Sequence, residues 1–178
     1  MLIRTRMGIS ADGFIASPDG LPAFLAIPGF VPHGSYDWPD FRKQCQAVVV
    51  GRTALDAGLA SGDWPWPGLD VYVLTSRPVP PNVPADVVVS DPTPEGLHRR
   101  LRASGLTGDA FLLGGRGTLH AFLAFGAIDK LELLKLPVLL GEGVPFSPPG
   151  SHQRLLRLDS PPRVFPDGTV HQVYTLAT

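Results

Sequence analysis

Short apolar segments alternate with amphipathic segments along most of the chain. Alternating apolar residues predict a first strand from Leu2 to Ile9, and the β-branched run from Ala47 to Val50 predicts a buried strand that ends at Gly51. A pair of strands around Pro166-Asp167-Gly168 is predicted within the segment from Leu155 to Thr178. Similar apolar runs predict further strands at Val71–Thr75, Asp86–Val89, Ala110–Leu113 and Lys130–Leu136.

Helices are predicted between these strands. The clearest begins at Thr93-Pro94-Glu95, which combines a favoured N-cap residue, a proline at the first helical position and an acid in the first turn. We expect this helix to stop at Gly105. The other predicted helices run from near Tyr36 to Gln46, from Thr53 to Leu59 and from Gly117 to Phe125. The alternation of strands and helices predicts an α/β fold with a mostly parallel sheet and an antiparallel pair at its end.

Length and charge narrow the classes of function. A chain of 178 residues favours a single domain spanning 1–178. Fifteen Lys and Arg residues stand against sixteen Asp and Glu residues, and no basic stripe is present, which argues against nucleic acid as a partner. No apolar run approaches the roughly 20 residues that span a membrane, so no membrane association is expected.

Cysteine and histidine usage bears on redox and metal chemistry. The single cysteine, Cys45, excludes an intrachain disulfide and a cysteine-rich zinc site, and it suits a cytoplasmic location. The five histidines stand at positions 33, 98, 120, 152 and 171 without the spacing of metal ligands. We therefore expect no metal site.

The stretch FLLGGRGTLHAFL, residues 111 to 123, places three glycines in four positions between an apolar run and a predicted helix. A Rossmann fingerprint would need a third spaced glycine where His120 stands, and it would follow the first strand of the fold. A Walker A loop would need a Gly-Lys-Ser/Thr triplet, which the sequence lacks. Two interpretations stay open: a nucleotide-binding turn of another kind, or a simple passage from strand to helix.

Two other strand ends carry groups suited to phosphate. GRTAL, from Gly51 to Leu55, places a guanidinium beside the start of a predicted helix, where backbone amides bind anions. VLTSR, from Val73 to Arg77, ends a strand in two hydroxyls and a cation, a set that would hold a 2′-phosphate and favour NADPH over NADH. The alternative for both is an ordinary solvated charge after a strand.

Five stretches occur together in a fixed order: SADGFIA, VVVGRTALD, VLTSR, FLLGGRGTL and LPVLLGEGVPF. In this order they resemble the dihydrofolate-reductase-like superfamily, and more closely the branch typified by the reductase domain of bacterial riboflavin biosynthesis. The resemblance covers nearly the whole chain. It implies a three-layer α/β fold with a central mixed sheet of about eight strands and flanking helices. It also implies an NADPH cleft at the carboxyl ends of the strands and a homodimer.

The resemblance assigns the cofactor-binding residues, and the wider superfamily often has a cis peptide between its paired glycines. Thr53-Ala54-Leu55 departs from the usual pattern of two polar residues followed by an aromatic, so one hydroxyl contact to the cofactor is expected to be missing. The assigned residues are Gly51, Arg52 and Thr53 at the phosphates, Thr75, Ser76 and Arg77 near the 2′-phosphate, and Gly114, Gly115 and Arg116 under the pyrophosphate and nicotinamide ribose.

Candidate catalytic acids are Asp12, Asp37 and Asp40. Folate reductases use a buried carboxylate on the helix after the first loop, which corresponds here to the region of Asp37 and Asp40. Favourable interaction with the helix dipole also explains these two acids without catalysis. Asp12 lies within the family's SADG motif, where a structural or substrate-contacting role is implied. Trp38 and Phe41 are candidates for a stacking wall against a planar substrate, although aromatic residues here also suit the core.

The resemblance implies an NADPH-dependent reductase that transfers hydride to a small planar heterocycle. The substrate would be pterin- or pyrimidine-like, and an intermediate of the riboflavin pathway is one example. A non-catalytic NADP(H)-binding protein that keeps the cofactor cleft is the alternative. The protein is expected to act in the cytoplasm as a homodimer on a small-molecule substrate.

Overall fold

A computed structural model of the protein describes residues 1–32, 34–147 and 153–176. Its contacts divide the chain into two compact units. The first unit comprises Met1–Arg4 and Lys43–Ile128, and the second comprises Thr5–Arg42 and Asp129–Thr178. The single domain over 1–178 stays a prediction. Histidines 33 and 152, and residues 177–178 of the last predicted strand pair, lie outside the described residues.

Eleven strands and four α-helices are present in the described ranges. The strands are β1 (Ile3–Ile9), β2 (Phe14–Ala16), β3 (Cys45–Gly51), β4 (Asp70–Leu74), β5 (Val88–Asp91), β6 (Asp109–Gly114), β7 (Lys130–Lys135), β8 (Val144–Pro145), β9 (Leu156–Leu158), β10 (Arg163–Val164) and β11 (Val170–Leu176). The helices are α1 (Trp38–Lys43), α2 (Arg52–Ala60), α3 (Pro94–Arg102) and α4 (Arg116–Phe125), with a 3₁₀ turn at Ala23–Ala26.

Nine of these strands share one sheet, in the order β10-β11-β7-β1-β6-β3-β4-β5, and β9 pairs with β11. Strands β1, β6, β3, β4 and β5 pair in parallel, whereas β11 pairs antiparallel with β7, β9 and β10. Strands β2 and β8 form a separate antiparallel pair. The predicted α/β class, with a mixed and mostly parallel sheet and an antiparallel end, is confirmed.

Buried strands form the core of the first unit. The side chains of Val48, Val49 and Val50 are fully buried, as expected for a parallel strand that is covered on both faces. Helix α3 begins as predicted: the Thr93 side chain accepts a hydrogen bond from the backbone N–H of Gly96 at 3.1 Å. The helix ends at Arg102, shortly before the predicted stop at Gly105, which has a positive φ of 75°.

Several predicted bounds were wrong. The helix expected from near Tyr36 to Gln46 is the six-residue α1, because Tyr36 and Asp37 take positive φ angles of 57° and 55° and Cys45 already belongs to β3. Strand β5 begins at Val88 instead of Asp86. The C-terminal segment contains three strands where two were predicted, and the β2–β8 pair was not predicted. These strands have two to four residues or a mixed apolar pattern, which leaves little periodicity to detect.

Candidate functional site

Three strand ends of the first unit lie at one edge of its parallel strands. Gly51, at the end of β3, is in register with Leu74 at the end of β4. Val50 of β3 is in register with Gly114 at the end of β6. Parallel strands that are in register end at the same edge, where α/β folds bind their ligands. The three turns predicted to bind the cofactor are therefore brought together, although up to about sixty positions separate them in the sequence.

The turn after β3 lies against the turn after β6. A Cβ atom at Gly51 would lie 2.5 Å from the side-chain oxygen of Thr118, which is buried in α4, so this position requires glycine. A Cβ atom at Gly115 would lie 3.9 Å from the Cβ of Ala54 in the first turn of α2. The unusual Ala54 thus places a small side chain next to the second glycine turn.

The Gly114–Gly115 turn is made by positive φ angles of 94° and 75°, which favour glycine at both positions. No peptide bond in the described ranges is cis, so the bond between these glycines differs from the cis bond that is frequent in the wider superfamily. Gly114 is buried and Gly115 is exposed as the N-cap of α4. The chain therefore leaves the sheet and enters the helix within two residues.

Two helices begin at this edge of the first unit. Gly51 is the N-cap of α2 and Gly115 is the N-cap of α4, and glycine has no side chain to cap the first amides. The first amides of a helix lack partners within the helix and carry the positive end of its dipole. Arg116 and Thr53, in the first turns of these helices, are exposed. This edge is therefore suited to negatively charged groups.

Two arginines share one carboxylate beside these helix starts. Arg52 donates from Nε to Oδ1 of Asp56 at 2.7 Å, and from Nη1 to the carbonyl of Pro78 at 2.5 Å. Nη2 of Arg77 lies 3.8 Å from Oδ2 of the same Asp56. Sequence reasoning missed Asp56, although its position four residues after Arg52 is a spacing typical of helical ion pairs.

The side chain of Thr75 orders the loop that follows β4. The hydroxyl oxygen of Thr75 accepts a hydrogen bond from the backbone N–H of Arg77 at 3.0 Å. Ser76 and Arg77 are exposed. Helix-start amides, guanidinium groups and small residues at the turns together fit a nucleotide that carries phosphates.

Asp12 lies in the second unit and joins two loops. Its carboxylate accepts hydrogen bonds from the Ser10 hydroxyl at 2.5 Å and from the backbone N–H groups of Leu140 and Gly141 at 3.2 and 2.7 Å. These bonds, that of Ser10 foremost, hold the pKa of Asp12 below its ordinary value. An acid that stays ionised at neutral pH is suited to positioning a loop more than to donating a proton.

The other candidate residues of the second unit lie on α1 or directly before it. Asp37 forms an ion pair with Arg163, and Asp40 is exposed in the first turn of the helix. The rings of Trp38 and Phe41 lie 5.5 Å apart, and Phe41 is 1 % exposed. Phe41 thus belongs to the packed interior of this unit, whereas Trp38 is half-buried.

A buried ionic cluster, not predicted from the sequence, lies next to Phe41 of α1 in the same unit. Glu132 of β7 is fully buried and pairs with Arg6 of β1 and with His171 of β11. Arg6 also donates to the backbone carbonyl of Tyr36 at 3.0 Å, and its guanidinium lies 4.4 Å from the centre of the Phe41 ring. A buried glutamate needs a charged or hydrogen-bonding partner. The position of Glu132 within an apolar predicted strand was therefore the one signal in the sequence that could have indicated this cluster.

Two other kinds of feature are absent from the part of the chain that the structure describes. None of its helices is long and apolar enough to cross a membrane. Within the same residues, no cluster of three or more histidine, cysteine, aspartate or glutamate side chains is placed to hold a metal ion.

Known proteins are similar to this chain in sequence. The RibD C-terminal domain matches the chain over residues 2–166. YwjB of Bacillus subtilis (strain 168), a protein that is itself uncharacterized, is 24% identical over 153 residues, which cover 85% of this chain and 86% of YwjB.

Two solved structures have a fold similar to that of this chain. A putative riboflavin biosynthesis protein from Shewanella sp. PV-4 superposes with a TM-score of 0.82, at 24% identity and full coverage of both chains. Dihydrofolate reductase from Enterococcus faecalis, solved in complex with NADP(H), superposes with a TM-score of 0.65 at 19% identity, covering 99% of this chain and 97% of the reductase. The chain belongs to the RibD C-terminal domain family and has the dihydrofolate-reductase-like fold.

Proposed function

We propose that the protein is an NADPH-dependent reductase that transfers a hydride to a small planar heterocycle. A pyrimidine- or pterin-like ring is the substrate class, and an intermediate of the riboflavin pathway is the first compound to test. The observation that carries this proposal is the meeting of the turns after β3, β4 and β6 at one edge of the first unit. Membership of a family with reductase-like, NADPH-binding neighbours supports it.

Residues of the first unit hold the cofactor in this proposal. The amides at the starts of α2 and α4 bind the pyrophosphate, and the exposed Gly115 allows its close approach. Arg77, with Thr75 and Ser76, binds the 2′-phosphate and thereby selects NADPH over NADH. When bound, the cofactor supplies the hydride from its nicotinamide ring.

In this proposal, residues of the second unit bind the substrate, supply its proton and position the nearby loops. Trp38 stacks on the planar ring. The ring of the buried Phe41 packs against Trp38, with the two ring centres 5.5 Å apart. Reduction of a C=N bond also needs a proton at nitrogen. Of the two candidate donors on or beside α1, Asp40 is proposed for this role, because Asp37 is paired with Arg163. Asp12 positions the loops around Ser10 and Leu140 through its three hydrogen bonds.

Thermal unfolding with NADPH and with NADH tests the cofactor site. A ligand at about 100 times its dissociation constant stabilises the folded state by about 2.7 kcal/mol, a shift of several degrees. We expect stabilisation by NADPH that NADH does not match, and loss of this preference in Arg77→Ala. Arg99→Ala, which removes an exposed arginine from α3 of the same unit, is the matched control. No shift with either nucleotide would contradict the proposal.

Turnover separates the reductase from a non-catalytic NADP(H)-binding protein. The near-ultraviolet absorbance of NADPH is followed in the presence of a panel of pterins and aminopyrimidines, including riboflavin-pathway intermediates. Oxidation of NADPH that depends on one of these compounds supports the reductase. Selective binding of NADPH without turnover of any compound would favour the binding protein instead.

A further inference from the structure

Asp56 holds the two arginines at the proposed phosphate site. Its Oδ1 accepts the Nε–H of Arg52, and its Oδ2 faces Arg77 across 3.8 Å. Arg52 belongs to α2, whereas Arg77 lies in the loop after β4, so one carboxylate connects two separate elements of the first unit. The cluster contains two positive charges and one negative charge.

The two arginines are held to different degrees. The side chain of Arg52 is 20% exposed, and it is fixed by Asp56 and by the carbonyl of Pro78. The side chain of Arg77 is 62% exposed and makes the longer contact with Asp56. Ion pairs of exposed side chains at such distances are weak, so a ligand can exchange for the carboxylate on Arg77 without disturbing Arg52.

We propose that Asp56 is a specificity-determining residue that acts as an internal counter-ion for Arg77. A 2′-phosphate that binds Arg77 displaces this carboxylate from the guanidinium and is repelled by its remaining charge. Asp56 therefore sets how strongly the protein prefers a nucleotide with a 2′-phosphate over one without it. This inference rests on the proposed NADPH site and concerns affinity, not the chemical step.

The substitution Asp56→Asn separates charge from geometry. The amide oxygen of asparagine can still accept the hydrogen bond from Nε of Arg52, while the negative charge is lost. For a doubly charged phosphate about 6 to 12 Å from one carboxylate in a water-like dielectric, the repulsion corresponds to about three- to tenfold in affinity. Salt screens such an exposed interaction, so the gain should shrink at high ionic strength.

The experiment is calorimetric titration of the whole chain with 2′,5′-ADP and, separately, with 5′-AMP. We expect Asp56→Asn to bind 2′,5′-ADP about three- to tenfold more tightly than the wild type, with no comparable change for 5′-AMP. Asp63→Asn changes the net charge equally at an exposed position of the same unit and should leave both affinities unchanged. Asp56→Glu keeps the charge and should keep the wild-type ratio.

The Arg77→Ala background gives an independent check, because the gain from Asp56→Asn should be smaller there: the carboxylate no longer competes for Arg77, and only its direct repulsion of the phosphate remains. Unchanged or weaker binding of 2′,5′-ADP by a folded Asp56→Asn variant would overturn the inference, even if the wild type prefers NADPH. If the wild type binds neither 2′,5′-ADP nor NADPH, the proposed function fails as well. The two failures are therefore distinguishable.

Discussion

Arg6 donates two hydrogen bonds to a single carboxylate oxygen of Glu132, from Nη2 at 2.7 Å and from Nε at 2.9 Å. The Glu132 side chain is 1% exposed and that of Arg6 is 9% exposed. Nε2 of His171 lies 3.1 Å from the same oxygen. Through Nη1, Arg6 also binds the carbonyl of Tyr36, directly before α1. A buried ion pair in β1 and β7 thus fixes the turn that leads to the candidate substrate residues.

Removing Glu132 should strongly destabilise the protein. Glu132→Ala leaves the guanidinium of Arg6 buried without its partner, and loss of one member of a buried pair costs about 3–5 kcal/mol. Glu132→Gln keeps an acceptor for Arg6 and should cost less. Urea unfolding measures both changes in the free energy of unfolding. Glu142→Gln, the same chemical change at an exposed position of the second unit, should be nearly neutral. Equal effects at the two positions would contradict a structural role for the pair.

Alanine substitutions at Gly114, in the turn before α4, and at Gly117, within α4, should change stability in opposite directions. Gly114 has a φ of 94°, and a Cβ there would lie 3.3 Å from the Cβ of Leu119, so Gly114→Ala should destabilise by about 1–2 kcal/mol or more. Gly117 lies in α4 with open space around its Cβ position, so Gly117→Ala should stabilise by up to about 1 kcal/mol. Chemical unfolding of the two variants tests this, and effects of the same sign would contradict the turn geometry.

Truncation of Thr93 should weaken the start of α3. Its hydroxyl accepts from the N–H of Gly96 at 3.1 Å, and replacement of an N-cap threonine by alanine costs about 1 kcal/mol. Thr93→Ser keeps the hydroxyl and should stay close to the wild type. Thermal unfolding of the two variants provides the measurement. Similar losses for alanine and serine would mean that the methyl group, not the cap, stabilises this position.

The hydrogen bonds of Asp12 predict a dependence of stability on pH. Its folded-state pKa lies below the ordinary value of 3.8, so the unfolded state takes up the proton first as the pH falls. The stabilisation is therefore fully present above about pH 4–5 and is lost as the pH falls through the folded-state pKa. Asp12→Asn should differ most from the wild type near neutral pH, with the difference shrinking in acid.

Denaturant unfolding from neutral to acid pH measures this effect. Ser10→Ala removes the largest cause of the lowered pKa, and it also removes the acceptor for the N–H of Phe14. This variant should lose stability at every pH and show a smaller pH-dependent part. A wild-type curve that runs parallel to the Asp12→Asn curve down to strong acid would exclude the proposed contribution.

Local patterns of the sequence determined much of the fold. The run from Ala47 to Val50 predicted a buried strand, because β-branched residues suit a strand covered on both faces. Thr93-Pro94 predicted the start of α3, since capping depends on neighbouring residues. The three strand ends that carry Gly51, Arg77 and Gly114 were also recognisable, because parallel strands of an α/β fold end at a common edge.

The tertiary structure decided what depends on residues far apart in the chain. Arg6 and Glu132 are separated by 126 positions, and no local pattern indicates that they pair. The same holds for the short strands β2 and β8, whose residues become strands through pairing with each other. The start of α1 is set by the positive φ angles of Tyr36 and Asp37, next to the bond from Arg6 to Tyr36. Capping and periodicity act within a few residues, whereas buried charges and paired strands find their partners when the chain folds.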